Sequence, residues 1–199
     1  TLKSSFRQIA TNIVRPAYNS VSITDTLSAY VDFDKDTNET AETFANKVKV
    51  YAYHKQVTTD TEGNTSFNEP IETARLNPNQ YTCSVDFETK TVTVNLTGVG
   101  EKGDSKLQDG MTYVVKFPVV TTEEAEYEYL LNGYGDVVGD ANTDAPNNSS
   151  SSGQPGFHSN TLATVKYKVE DSEEQTETYD HPVVQVAPET VDKTVQKKW

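Results

Sequence analysis

Residues able to do chemistry are thinly scattered through this 199-residue chain, and few of them fall into working patterns. The histidines, His54, His158 and His181, stand far apart, and no nucleophile-elbow motif precedes any of them. A nucleophile–base–acid relay therefore has nothing to start from. No HExxH and no paired Cys/His spacing occurs, so zinc lacks a ligand set. The single cysteine, Cys83, lies in Tyr81-Thr-Cys-Ser-Val-Asp-Phe87, which alternates like a strand and holds nothing to activate a thiolate. One run has metal-loop spacing. Gly139-Asp-Ala-Asn-Thr-Asp144 places Asp140, Asn142 and Asp144 at the first, third and fifth positions of a calcium loop. Ala145 stands where such a loop has glycine, and Ser151 where it has glutamate, so an Asx-rich solvated loop accounts for the run equally well. A glycosidase needs two convergent carboxylates, and no motif selects a pair from the 30 acidic residues. No cofactor is expected.

Composition narrows the classes further. Thirty acidic against 17 basic residues give a net charge of −13. Nucleic acid and anionic lipid both require a basic face, which this balance argues against. One cysteine permits no intrachain disulfide, so any surface protein built this way is stabilised by other means. No run approaches ~20 consecutive apolar residues, and no basic-apolar leader opens the chain.

The elements that must position any site are mostly strands. Leu2, Phe6, Ile9, Ala10 and Ile13 recur at helical spacing, and Pro16 follows, which predicts a helix over 2–13. Its apolar face has no local partner, so it is expected to be the tail of a preceding domain. After Pro16 the period becomes two. Val21 to Ile23, Tyr30 to Phe33, Lys47 to Tyr53, Tyr81 to Phe87, Thr91 to Leu96, Thr112 to Val120, Leu162 to Val169 and Thr176 to Val186 read as strands separated by turns such as Asn77-Pro78-Asn79 and Asp109-Gly110. Thr121-Thr-Glu-Glu124 matches a capping box and opens one short helix through Leu131. Residues 132–159 predict a long, exposed, mobile loop. Many short strands with irregular spacing predict an all-β, immunoglobulin-like sandwich. The expected division is an upstream domain's helix over 1–15, the sandwich over 16–188, and a linker with the first strand of another domain over 189–199.

Two segments carry a family resemblance: Ile23-Thr-Asp-Thr-Leu27, and Phe157-His-Ser-Asn-Thr-Leu-Ala-Thr-Val-Lys-Tyr167. The Thr-Asp-Thr-Leu turn, and the late Asn followed by an Ala-x-Val-x-Tyr strand, resemble the signatures of isopeptide-forming fimbrial domains of Gram-positive surface proteins, of collagen-adhesin A type. The opening segment resembles the last helix of a von Willebrand factor A domain. The closing Lys-Lys-Trp199 resembles the first strand of a collagen-adhesin B-type domain. Taken in order, they resemble the stalk segment that follows the von Willebrand module in pilus-tip adhesins.

The resemblance implies a chemistry. A lysine amine attacks an asparagine side-chain amide and expels ammonia. The amine must be neutral, and a protonated carboxyl must polarise the amide and move the protons. On this pattern Asp25 is the proton shuttle and Asn160 the acceptor. The family's lysine precedes the aspartate, and only Lys3 does so here, so the lysine is expected upstream of the chain or among the internal Lys47, Lys49 and Lys116. Lys116 is the foremost of these. The Asn160–Ala163 spacing is one residue too long for simple alternation and demands a bulge. Without such chemistry, Asp25 would cap a turn and Asn160 would sit at the bulge.

The implied role is a structural stalk domain of a cell-wall-anchored, extracellular adhesin, not an enzyme beyond its own cross-linking. Its partners would be neighbouring domains of the same polypeptide. The alternative is an adhesive module that binds a host extracellular-matrix protein or glycan through its long loops, with Tyr127, Tyr129, Tyr134 and Phe157 as a ligand face.

Overall fold

In the computed structural model, which describes residues 4–10, 18–63, 65–143, 151–170 and 172–186, the period-two segments form antiparallel strands stacked as an immunoglobulin-like β-sandwich. The strands are β1 (Ser4–Ala10), β2 (Tyr18–Leu27), β3 (Val31–Phe33), β4 (Lys49–Tyr53), β5 (Val57–Thr59), β6 (Thr65–Phe67), β7 (Tyr81–Asp86), β8 (Thr91–Leu96), β9 (Thr112–Thr121), β10 (Phe157–His158), β11 (Asn160–Val169), β12 (Gln175–Thr178) and β13 (Val183–Val184). Two helices join them, α1 (Ala41–Phe44) and α2 (Glu123–Asn132).

One sheet runs β12-β11-β2-β8-β7. The other is built on β9, with β1 along one edge and β4 then β3 along the opposite edge. Alternation decides the core. Val21, Ile23 and Leu27 of β2, Val92, Val94 and Leu96 of β8, and Val165 and Tyr167 of β11 meet Tyr113, Val115, Phe117 and Val119 of β9. The remaining residues of β9 face the other way, where Val114 packs with Tyr51 and Tyr53. Pro118 has no N–H to give a ladder, and it falls in the gap where β4 ends at Lys116 and β3 begins at Val119.

Three expectations need correction. Residues 4–10 form a strand paired with β9 from Ser4↔Val119 to Ala10↔Tyr113, where a helix was predicted. A lone helix of about 12 residues is marginal, and a free sheet edge satisfies the same backbone groups with tertiary support. The one helix predicted among the strands is α2, capped by Thr122, but α1 is a further one, closed by a capping box between Thr40 and Thr43. The predicted loop over 132–159 is largely held where it is described. Val138 bridges Pro155, Gly139 bridges Ser152, and Phe157 and Ser159 are buried. Gly139 is required there, because any Cβ would collide with the Ser151 carbonyl.

Candidate functional site

Asp25 occupies the inward phase of β2, in line with Val21, Ile23 and Leu27. It sits in the middle of the five-stranded sheet, with Ala163 of β11 opposite on one side and Val92 of β8 on the other. Both neighbours are fully buried and apolar, and Asp25 itself is 2 % exposed. A carboxylate there has lost its water, and no cation among the described residues makes up for it. Burial pushes the Asp25 carboxyl up, the neighbouring Asn160 amide draws it only part of the way back, and the net result is about 7.

Asn160 opens β11 opposite Leu27, also 2 % exposed. The ladder shifts between Asn160 and Leu162, so Thr161 and Leu162 both lie outside while Asn160 and Ala163 both lie inside. This is the bulge that the spacing demands. The approach to Asn160 is fixed from behind. Ser159 is fully buried, and its N–H and hydroxyl both donate to the Pro182 carbonyl at 3.0 Å. Its own carbonyl accepts from the Ser28 N–H at 3.0 Å.

Among the described residues, neither carboxyl oxygen of Asp25 nor Oδ1 of Asn160 has a partner in hydrogen-bonding geometry. Buried polar atoms are rarely left so, and each such atom costs about 1–3 kcal/mol. The site therefore holds a neutral carboxyl and an amide oxygen in an apolar enclosure, both with unspent hydrogen-bonding capacity. Asp25 caps no turn. That arrangement can polarise an amide carbonyl and move a proton.

The predicted internal lysines are not brought to this pair. Lys116 points to the outer face of its sheet, 3.3 Å from Glu69 and over the Tyr51 ring. The even-numbered phase of β9 dictates this, because Val114 and Lys116 share the face away from the core. Lys47 is held by Asp36 and Glu39 at 2.8 and 2.7 Å, and Lys49 lies 3.9 Å from Glu72. Lys3 lies outside the described residues. Sequence reasoning passed over Lys90, whose carbonyl accepts from the Leu27 N–H, next to Asn160 in the ladder. Its ammonium is already engaged by the Val31 and Ser28 carbonyls at 3.1 and 3.4 Å.

Two of the calcium candidates, Asp140 and Asn142, make contacts within the fold. Asp140 Oδ2 accepts from the His181 N–H at 2.8 Å and lies 3.2 Å from its Nδ1, and the backbone bond lowers the Asp140 carboxyl below its usual range. Asn142 donates to Asp180, and Asp144 lies outside the described residues. Among the described residues no cluster of three His, Cys, Asp or Glu could hold a metal. His158 stacks on His181 and meets the Val138 carbonyl, while His54 meets that of Gly110. Cys83 has its thiol pushed up to about 11 by burial, so it stays protonated. Of the four aromatics expected at a ligand face, Phe157 is buried and Tyr129 and Tyr134 pack against the core, whereas Tyr127 is 65 % exposed.

A family profile described as "Domain of unknown function (DUF7604)" matches residues 18–185. No curated protein matches the chain. Two solved structures are similar in shape. One is the adhesive tip pilin GBS104 from Group B Streptococcus agalactiae, with 9 % identity and a TM-score of 0.44 over 85 % of this chain and 22 % of that one. The other is the RrgA Jo.In complex, with 10 % identity and a TM-score of 0.45 over 85 % of this chain and 63 % of that one. The chain thus spans less than two thirds of either.

Proposed function

We propose that this chain, which belongs to the DUF7604 family, is a load-bearing stalk domain of a bacterial surface adhesin whose core is set up to cross-link itself. The observation that carries this reading is the Asp25–Asn160 pair: a carboxyl protonated near neutrality beside an amide with a free oxygen, both 2 % exposed. A protein gains no stability from two such groups in its core, so their placement points to chemistry.

In the reaction, the protonated Asp25 donates a hydrogen bond to Oδ1 of Asn160 and makes Cγ electrophilic. A neutral lysine Nζ attacks Cγ and forms a C–N bond. The Cγ–Nδ2 bond breaks, and Nδ2 leaves as ammonia with a proton passed from the amine through Asp25. The carboxyl ends as it began, and one amide replaces another. The lysine is Lys3, the only lysine of the chain ahead of Asp25, or one on a strand ahead of Thr1. Such a bond would clamp the sandwich where an extracellular protein with one cysteine has no disulfide. The extracellular, wall-anchored setting belongs to the same proposal.

Intact mass spectrometry tests it. The wild-type chain is expected to weigh about 17 Da less than its sequence, one ammonia, and the Asp25→Ala chain to match its sequence. Tryptic mapping then identifies the lysine joined to Asn160. A wild-type mass equal to that of the sequence overturns cross-linking by any lysine of this chain.

A further inference from the structure

Among the described residues, five of the eight large apolar side chains left exposed lie between residues 127 and 138: Tyr127, Leu130, Leu131, Val137 and Val138. Three of them form a stripe on α2. Ala125 is fully buried and Tyr129 packs against the core, which turns Tyr127, Leu130 and Leu131 outward at 65, 65 and 61 % exposure. Their spacing of three and four residues is that of a helix face made to be covered. Glu123, Glu124, Glu126 and Glu128 flank the stripe. No lysine or arginine occurs between Lys116 and Lys166, and none among the described residues pairs with these glutamates. Beside the helix, a cleft of about 240 Å³ is floored by Tyr30, Tyr134 and Phe157 and edged by Glu128.

We infer that the outer face of α2 and this cleft form a docking surface for a cationic, amphipathic segment of another protein. The apolar stripe supplies contact area, and the glutamates select lysine or arginine on the partner. The cleft suits one such side chain, its stem along Tyr134 and Phe157 and its charge toward Glu128. A second copy is a poor occupant, because a two-fold contact would set glutamates against glutamates. This surface is independent of the Asp25–Asn160 chemistry.

The probe is a synthetic helical peptide of lysines, leucines and one tryptophan, with a glutamate-for-lysine twin as control. With the isotope-labelled full chain, amide shifts are expected to concentrate in residues 123–138 and to be absent with the twin. By fluorescence anisotropy, Leu130→Ser with Leu131→Ser is expected to weaken binding at least about tenfold, the scale of one leucine losing its apolar contact. Leu162→Ser, at an exposed leucine elsewhere, is expected to leave it unchanged. Shifts spread over the acidic surface, or equal binding by both leucine variants, would overturn the inference. So would a concentration-dependent dimer abolished by the α2 variant, which assigns the face to a second copy. Binding raised about tenfold by Lys193→Glu with Lys197→Glu and Lys198→Glu would assign it to the chain's own basic run.

Discussion

Asp25 keeps its proton because ionisation would strand a charge between Val92 and Ala163. That has a consequence for stability. Below about pH 4 both the folded and unfolded chains hold the proton, and the Asp25 contribution is fully present. Between about 4 and 7 the unfolded chain releases it while the folded chain keeps it, so stability falls with rising pH. Above 7 both are ionised and the loss is complete, about 4 kcal/mol at most. In an Asn160→Ala background, where no cross-link forms, Asp25→Asn is therefore expected to stabilise the chain increasingly from pH 4 to 7. Urea unfolding across that range reads the difference, and a gap that does not widen means Asp25 is solvated. Lys116→Ala is expected to leave the mass loss of the wild type intact, since its ammonium lies with Glu69 on the opposite face of the sheet. At this scale part of the site was legible. Asp25 stands in phase with Val21, Ile23 and Leu27, and an aspartate on an inward phase is a buried-carboxyl signal in its own right. The outward phase of Lys116 was ambiguous, because β9 is covered on both faces and its apolar run shows no alternation.

The bulge in β11 lies directly after Asn160. Thr161 and Leu162 both face outward, and deleting one of them restores simple alternation. If residues 163–169 keep their ladder with β2, deletion of Thr161 removes the bulge and leaves Asn160 on the inward phase, two residues before Ala163. The deletion chain is expected to keep the mass loss, with the sandwich retained by circular dichroism. A full sequence mass would mean that the bulge itself, and not the inward phase alone, places Asn160. The start of α2 depends on Thr122, whose hydroxyl accepts from the Ala125 N–H at 3.2 Å and donates to the Ala29 carbonyl at 2.9 Å. Thr122→Ala is expected to cost about 1–2 kcal/mol in urea unfolding. Elements were legible where one face is buried, as in β8 over Thr91–Leu96, where alternation gives both bounds. They were illegible where tertiary pairing alone decides. The strand β5 is exposed along its whole length and carries no apolar phase. The strand β1 carries a helical spacing that pairing with β9 overrides.

From Tyr18 to Val186 the molecule is strung end to end, while β1 starts with Ser4 beside Val119, back at the Leu27 end. Tyr18 begins β2 beside Val169, and its carbonyl accepts from the Leu107 N–H. Leu27 and Asn160 mark the far end of the same pair. There Phe157 pairs with Val184 and stacks on Tyr30, and both the N–H and the carbonyl of Val186 bond the Tyr134 hydroxyl. The chain therefore enters β2 at one end of the sandwich and leaves β13 at the other. A pull along this axis shears β2 against β11 and β8, loading their ladder bonds together instead of one at a time. Hydrogen bonds in shear still yield, and what remains is whatever is covalent. Pulled from its two termini, an unlinked chain of 199 residues extends by ~700 Å, at ~3.5 Å per residue. With Lys3 bonded to Asn160, everything between them is shielded and only the residues after Asn160 pay out, ~140 Å. Single-molecule force spectroscopy separates the two lengths directly. The wild type is expected to give the short extension and Asp25→Ala the long one, and a long extension from both would leave the fold with shear resistance alone.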